Sequence, residues 1–139
     1  YGEIDNRNYF KKINETIKKH NLNKRIVLHG KTNNVINKLR ESDIFAFPSK
    51  SEGFPLAMTE AMSVGLPVIG YKNCSGVNEI IINGENGLLA DDGIDDFANE
   101  ELRIKFGEEG RKTILQYAPD LIWDKWEILL KSIDNNKGK

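Results

Sequence analysis

The sequence has few of the features that stabilise very small proteins, such as cysteines, and none of the long apolar runs that anchor proteins in membranes. It has one cysteine, Cys74, in 139 residues, which excludes an internal disulfide framework and a cysteine-rich zinc site. No apolar run approaches the roughly 20 residues that cross a bilayer, and the first residues lack the basic and apolar pattern of a signal peptide. We therefore expect a cytoplasmic protein without a metal site, with peripheral association at the inner face of the membrane as the alternative location.

The chain also lacks a large excess of charge of either sign. Its 20 Lys+Arg and 21 Asp+Glu leave a net charge of -1, which argues against nucleic acid as a partner. The charges are unevenly distributed, because the first fifty residues carry 11 basic and 5 acidic side chains and the next sixty carry 3 and 12. The lysines of residues 11–19 lie opposite Phe10, Ile13 and Ile17 at helical spacing, which indicates a solvated helix face rather than an anion site.

What the sequence does contain is an ordinary globular composition with short apolar runs between helical patterns. Hydrophobic residues make up 39% of the chain, and its length lies within the range of one domain, so we expect a single domain over residues 1–139. The predicted strands are Arg25–His29, Asp43–Phe47, Pro67–Tyr71 and Leu88–Ala90. The predicted helices are Asp5–Asn21, with Asp5 as its N-cap, Thr32–Arg40, Pro55–Val64 and Gly76–Ile82, and then short helices beyond Ala90.

The predicted strands are short and continuously apolar rather than alternating. Such strands are typical of a parallel sheet that helices cover on both faces. The sequence therefore predicts an α/β fold with a Rossmann-like, doubly wound parallel sheet. Two features do not fit a complete sheet: the chain opens on a helix without a first strand, and two helical patterns merge at residues 95–102, where we expect a short helix or a deletion.

The residues best suited to chemistry lie between a predicted strand and the helix that follows it. In open α/β sheets, ligands bind at the carboxyl ends of the strands, and the loop after Phe47 is such an end. Pro55 suits the first turn of a helix because its missing N–H is not needed there. We therefore predict a diphosphate-binding site, the seat, at the start of this helix. It consists of the backbone amides of Gly53, Phe54 and Leu56 and of the positive end of the helix dipole.

Two glutamates bracket this predicted seat. Glu52 lies in the loop, and Glu60 lies about five residues into the helix, a rise of roughly 7 Å. Carboxylates accept hydrogen bonds from vicinal hydroxyls, so the pair fits a sugar at one end and a ribose at the other. In the alternative interpretation, which the pair alone favours, Glu60 is a solvated helix residue and Glu52 merely complements the helix dipole.

The order of glutamates, glycines and prolines over fifty residues resembles the group 1 (family 4) glycosyltransferases. Their signature is two glutamates separated by seven residues, which Glu52 and Glu60 meet. The resemblance covers most of the chain and weakly includes Phe106–Arg111. The matching segments are Ser42–Ser49, Glu52–Pro55, Glu60–Met62, Gly65–Ile69, Glu79–Ile81, Asn83–Gly84 and Asn86–Leu89.

The resemblance implies a GT-B enzyme with two facing Rossmann-like domains, of which this chain is similar to the C-terminal, donor-binding one. Glu52 would be the catalytic residue that binds hydroxyls of the transferred sugar, and Glu60 would hold the ribose. The implied donor-binding residues are Gly53, Phe54, Pro55, Leu56, Glu60 and Lys31. Among them, Leu56 would pack near the nucleoside and Lys31 would lie where the backbone approaches the base.

Two departures from this family concern what the chain lacks. The first strand and loop, which carry an Arg and a Lys that neutralise the diphosphate, are expected upstream of Tyr1, and so is the acceptor-binding domain. We therefore expect an N-terminally truncated fragment that is inactive by itself and exposes a sheet edge.

The implied reaction is transfer of a sugar with retention at the anomeric carbon, from a UDP- or GDP-sugar to a glycan or a lipid-linked acceptor. We expect no cofactor, since positioning and stabilisation of the departing diphosphate would suffice. The two-carboxylate scheme of glycosidases is rejected because the resemblance commits Glu60 to ribose. The composition suggests a bacterium with an AT-rich genome, and a role in capsule or other surface polysaccharide.

Two alternatives belong to other functional classes. The first is an inactive nucleotide-sugar-binding or regulatory module on the same fold. The second is another enzyme on this fold, an epimerase or a phosphorylase, and it lacks support in the sequence. The two histidines and Cys74 are interpreted as structural, and Trp123 and Trp126 as the packing face of a last helix, which in the resembling family often packs on the other domain.

Overall fold

A computed structural model describes residues 6–91 and 100–136 of the chain. The helices are α1 (Arg7–Lys19), α2 (Val35–Arg40), α3 (Leu56–Ser63), α4 (Glu100–Leu115) and α5 (Pro119–Asn136). The strands are β1 (Phe45–Phe47), β2 (Val68–Tyr71) and β3 (Leu88–Ala90). The chain divides into two compact units, Tyr1–Val35 and Ile36–Lys139.

The first unit is built around α1. Asp5, the predicted N-cap, lies outside the described residues, and the side chain that caps α1 is Asn6, whose Oδ1 accepts from the backbone N–H of Tyr9 at 3.0 Å. This bond satisfies one of the donors that a helix leaves free in its first turn. The predicted apolar stripe is confirmed, since Ile17 is buried while Phe10 and Ile13 are half-buried.

The strand predicted over Arg25–His29 is not present. The chain turns here instead, with the amides of Arg25 and Ile26 donating to the carbonyl of Leu22 at 2.8 and 2.9 Å. Ile26, Val27 and Leu28 are 42%, 63% and 41% exposed. An apolar run becomes a strand only where a neighbouring strand takes up its hydrogen bonds, and the sheet of the described chain contains β1, β2 and β3 alone.

The second unit contains a parallel sheet in the order β1-β2-β3. Phe45 pairs with Val68 and Ile69 pairs with Leu88. The three predicted strands are therefore confirmed, although β1 begins two residues later than expected and β2 one residue later. The central strand β2 is buried along Val68, Ile69 and Gly70, as expected of a parallel strand between two neighbours.

Apolar packing covers both faces of β2, because successive side chains of a strand point to opposite faces. Val68 belongs to a core cluster with Met58 and Met62 of α3, all fully buried. Ile69 packs on the other face with Phe106 of α4. Burying one such side chain contributes about 1.5–3 kcal/mol, so these clusters stabilise the sheet from both sides. The α/β fold with a parallel sheet is confirmed.

The helices that pack on this sheet depend on glycines at their contact. Gly65 follows the C-cap of α3 with φ +78°, and the amide of Leu66 donates to the carbonyl of Ala61 at 3.1 Å, which closes the helix end as predicted. A Cβ on Gly107 of α4 would lie 2.1 Å from the carbonyl oxygen of Gly65. A side chain at Gly107 would therefore prevent this approach of α4 to the end of α3.

The helix predicted over Gly76–Ile82 is a series of turns instead. The amides of Ile80 and Ile81 both donate to the carbonyl of Val77, at 3.2 and 2.9 Å, so one turn forms without continuing. The buried side chain of Asn86 intervenes here, since its Oδ1 accepts from the amide of Ile82 at 2.7 Å and its Nδ2 donates to the carbonyl of Ile80 at 3.0 Å. These local bonds compete with helical ones.

The segment beyond Ala90 differs from the predicted short helices. The overlap of patterns at residues 95–102 falls largely outside the described residues, and α4 and α5 then extend over 16 and 18 residues. Trp123 and Trp126 of α5 are 72% and 56% exposed, so within the described chain they are not packed as a buried face. No helix among the described residues is long and apolar enough to cross a membrane.

Candidate functional site

The N-terminus of α3 is the centre of the predicted site, and its backbone donors are partly committed. The amide of Leu56 donates to the carbonyl of Phe54 at 2.9 Å, so the prediction of a free amide at Leu56 was wrong. A tight turn through Pro55, the N-cap with φ -80° and ψ 75°, brings these two groups together. Over residues 6–91 and 100–136, the amides of Gly53, Phe54 and Ala57 have no protein acceptor.

The set of free amides at the seat differs from the predicted set in one residue. Ala57 replaces Leu56 as the helical donor, because Leu56 turns its amide back into the loop. The N-terminal end of a helix carries partial positive charge, and free amides there attract anionic oxygens. Gly53 and Ala57 are exposed, so an anion can reach the donors from solvent.

Glu52 enters this loop half-buried and already oriented. Its Oε1 accepts a hydrogen bond from the hydroxyl of Ser49 at 2.5 Å, and its backbone amide donates to the carbonyl of Ser75 at 3.2 Å. The side chain and the backbone are thus held by two different loops. Ser49 was not singled out from the sequence, although it stands three residues before Glu52 in a loop where serine commonly bonds locally.

Gly76 supports the same loop, and sequence reasoning missed its role. It has φ +80°, and a Cβ on it would lie 2.7 Å from the carbonyl oxygen of Glu52 and 2.9 Å from that of Gly53. Only glycine allows both the left-handed backbone and this close approach. The signal available in the sequence was Ser75-Gly76 after a strand, a pair that marks a turn.

Glu60 lies one turn along α3 and is exposed. Its neighbours Thr59 and Ala61 are buried, so the helix turns Glu60 toward solvent while its other face packs in the core. From Leu56 to Glu60 the helix rises roughly 6 Å. Along the chain, Glu52 therefore precedes α3 and Glu60 lies one turn into it, with the free amides of Gly53, Phe54 and Ala57 between them.

Apolar and aromatic groups border the seat. The ring of Phe54 meets that of Tyr117 edge-on, with centroids 5.8 Å apart and planes at 66°. Leu56, two residues after Phe54, is 67% exposed, which suits a residue predicted to pack near a nucleoside. Tyr117 was not predicted; it lies between α4 and α5, where its sequence carries no local signal for an approach to Phe54.

The remaining predicted residue, Lys31, belongs to the first unit and is exposed. It follows Gly30, which has φ +70°. Among the residues that the structure describes, no group of three or more His, Cys, Asp or Glu side chains could hold a metal ion. Cys74 is fully buried, as its interpretation as a small apolar filler expects.

Comparison with known proteins shows the family of the chain. Residues 2–120 match the family described as Glycosyl transferases group 1. A relative is the UDP-Gal:alpha-D-GlcNAc-diphosphoundecaprenol alpha-1,3-galactosyltransferase of Escherichia coli, 44% identical over 85 residues, which are 60% of this chain and 22% of the relative.

Solved structures are also similar to the chain, and two of them contain bound molecules that include UDP. A variant of Staphylococcus aureus TarM in complex with fondaparinux, alpha-GlcNAc-glycerol and UDP is 29% identical with a TM-score of 0.75, over 86% of this chain and 26% of TarM. Anabaena Alr3699/HepE, in complex with UDP and glucose, is 19% identical with a TM-score of 0.78, over 96% of this chain and 39% of HepE. The chain thus spans 22–39% of the length of these three proteins, and HepE supports the fold alone.

Proposed function

Because this chain belongs to the group 1 glycosyltransferases, we propose that it is the part of a retaining enzyme that binds the nucleotide-diphosphate sugar donor. The identity as a group 1 glycosyltransferase confirms the resemblance noted in the sequence. The proposed donor is a UDP- or GDP-sugar, and the proposed acceptor is a glycan or a lipid-linked sugar of a cell-surface polysaccharide.

The observation that carries the proposal is the set of free amides at Gly53, Phe54 and Ala57, flanked by Glu52 and Glu60. Amides at a helix start suit the diphosphate, since they supply fixed partial positive charge where negative charge grows as the sugar leaves. A carboxylate on each side suits hydroxyl groups, which the donor carries on its sugar and on its ribose.

In the proposed arrangement, Glu52 binds hydroxyls of the transferred sugar and Glu60 binds the ribose. The bond from Ser49 pre-orients the Glu52 carboxylate, so less conformational freedom is lost when the sugar binds. The exposed side chain of Leu56 packs near the nucleoside. Lys31 lies in the other unit, and its proposed place near the base depends on the resemblance alone.

Names of similar proteins support the chemistry. UDP is part of the name of the E. coli relative and of the TarM complex, and the E. coli name gives a lipid-linked sugar as acceptor. The same name specifies an alpha-1,3 linkage. An alpha product formed from an alpha-linked nucleotide sugar means retention. The proposed enzyme uses no metal or cofactor, and the amides of Gly53, Phe54 and Ala57 stabilise the charge of the departing diphosphate.

The test is calorimetric titration of this chain with UDP and GDP. We expect one nucleotide to bind, and Glu60→Ala to weaken it roughly fivefold to tenfold, because a charged hydrogen-bond acceptor for the ribose is lost. The matched control is Glu127→Ala, which removes an exposed helical glutamate of α5 and should leave affinity unchanged. Equal affinity of Glu60→Ala and the original chain, or no binding of either nucleotide, would contradict the proposal.

A further inference from the structure

A pocket lies at the carboxyl ends of the strands, and residues 52–60 are not among its described lining residues. It has a volume of about 470 Å³. Each strand contributes its end or the loop after it, and the lining residues are Lys50, Tyr71, Asn73, Cys74, Ala90 and Asp91. The volume lies within the range of about 300–1,000 Å³ that is typical of small-molecule sites.

The polar groups of this pocket are available for a ligand. Over the described ranges 6–91 and 100–136, the side chains of Lys50 and Asn73 and the hydroxyl of Tyr71 make no hydrogen bond or ion pair with the protein. Tyr71 is 38% exposed, so part of its ring is open to contact. Asp91 forms an exposed ion pair with Lys72, whose Nζ lies 3.4 Å from its Oδ2.

The mixture of groups selects one class of ligand. A hexopyranose presents hydroxyls, which both donate and accept hydrogen bonds, and apolar C–H faces, which pack on aromatic rings. Asn73 offers both a donor and an acceptor, Lys50 offers donors, and Tyr71 offers a ring with a hydroxyl. A phosphate is a poorer match, because it only accepts hydrogen bonds and would leave the acceptor oxygens of Asn73 and Asp91 unused.

The pocket and the loop of Glu52 both contact the segment from Asn73 to Gly76. The segment from Asn73 to Gly76 lines the pocket at one end and, at the other, supports Glu52 through the 3.2 Å bond from its amide to the carbonyl of Ser75. Lys50 stands two residues before Glu52 in sequence and lines the pocket as well. A sugar in the pocket is therefore next to the loop proposed to hold the donor.

We propose that Lys50, Tyr71 and Asn73 form a hexopyranose subsite at the carboxyl ends of β1 and β2. This inference rests on the proposed function, since a glycosyltransferase would bring the sugar there, either as the far edge of the transferred sugar or as a residue of the acceptor. In both cases the subsite selects which sugar is used. It does not contact the nucleotide.

The experiment compares Asn73→Ala and Tyr71→Phe with the original chain. Affinities for UDP, UDP-glucose and UDP-galactose are measured by calorimetry, and binding of methyl α-glucoside and methyl α-galactoside is followed by saturation-transfer NMR. Tyr71→Phe keeps the ring and removes only the hydroxyl. Asn37→Ala, an exposed asparagine of α2, is the matched control, and circular dichroism verifies that each variant is folded.

We expect UDP affinity to stay within about twofold and sugar binding to fall roughly threefold to tenfold, as one or two hydrogen bonds are lost. A loss confined to UDP-sugars assigns the subsite to the donor sugar, and a loss confined to the methyl glycosides assigns it to the acceptor. Unchanged binding of both, or no sugar binding by the original chain, overturns the inference. If GDP binds and UDP does not, the GDP-sugars replace the UDP-sugars in this comparison. Failure of both nucleotides to bind would instead contradict the proposed function, while the methyl glycosides still test the pocket.

Discussion

Helices α3 and α5 both carry large apolar side chains, yet these side chains have opposite surroundings. In α3, Met58 and Met62 are fully buried against β2 and α4. In α5, Trp123 and Ile128 are 72% and 70% exposed, although α5 is more than twice as long. The presence of large apolar side chains therefore did not by itself determine which helix is buried.

Within the part of the chain that the structure describes, the two helices differ in burial because only α3 has a neighbouring helix whose backbone can approach it closely. The start of α3 follows a strand, and its end is open to α4 because Gly65 and Gly107 let the two backbones approach closely. Nothing comparable is present for α5 in the described chain, where its large side chains face solvent. A functional site needs the first situation, because its carboxylates must be held by a rigid support.

The largest expected effect on stability comes from a substitution that obstructs the contact between α3 and α4. Gly107→Ala would place a Cβ 2.1 Å from the backbone oxygen of Gly65, where no flexible side chain can give way. We expect a loss of roughly 3 kcal/mol or more in the free energy of unfolding, measured by urea denaturation. A control is Gly53→Ala, whose Cβ would meet nothing within 4 Å. Equal stability of both variants would contradict this account of the contact.

A slightly smaller effect is expected from emptying the core face of α3. Met62→Ala removes a fully buried side chain and leaves a cavity, which typically costs 2–5 kcal/mol; we expect about 3 kcal/mol by urea denaturation. Leu130→Ala is the counterpart in α5, where the side chain is 56% exposed. The prediction fails if Leu130→Ala is as destabilising as Met62→Ala.

The smallest effect is expected from the exposed face of α5. Trp126→Ser should change the unfolding free energy of this chain by about 0.5 kcal/mol or less, because the side chain is 56% exposed and packs in neither core cluster. Thermal and urea denaturation measure the change. A loss above about 1.5 kcal/mol would mean that α5 is buried in solution, and the contrast with α3 would disappear.

The sequence predicted the second unit better than the first. Strands β1, β2 and β3 and the end of α3 at Gly65 were expected from apolar runs and from a glycine after a helical pattern, which are local signals. The strand over Arg25–His29 was not confirmed, because strand formation depends on a partner elsewhere in the chain. The helix over Gly76–Ile82 was not confirmed either, because the buried side chain of Asn86 takes the bonds that would extend it.

In the candidate site, too, the features encoded by neighbouring residues were predicted, and those that depend on distant segments were not. Glu52, Gly53 and Pro55 lie where a strand-to-helix junction was predicted, since that junction is encoded by neighbouring residues. The bond from Ser49 to Glu52 and the packing of Gly76 beneath it depend on how two loops meet. The role of Ala57 as a free donor depends on the backbone angles of the turn before α3.

By itself, the sequence determined the family, the parallel strands of the second unit and the positions of Glu52 and Glu60 around a helix start, because periodicity and turn residues act over a few neighbouring positions. Only the tertiary structure decided which apolar segments became buried. It also decided which amides stayed free and which side chains line the pocket at the strand ends. These depend on the approach of segments distant in sequence, and a close approach is set by the space that each backbone leaves for the other.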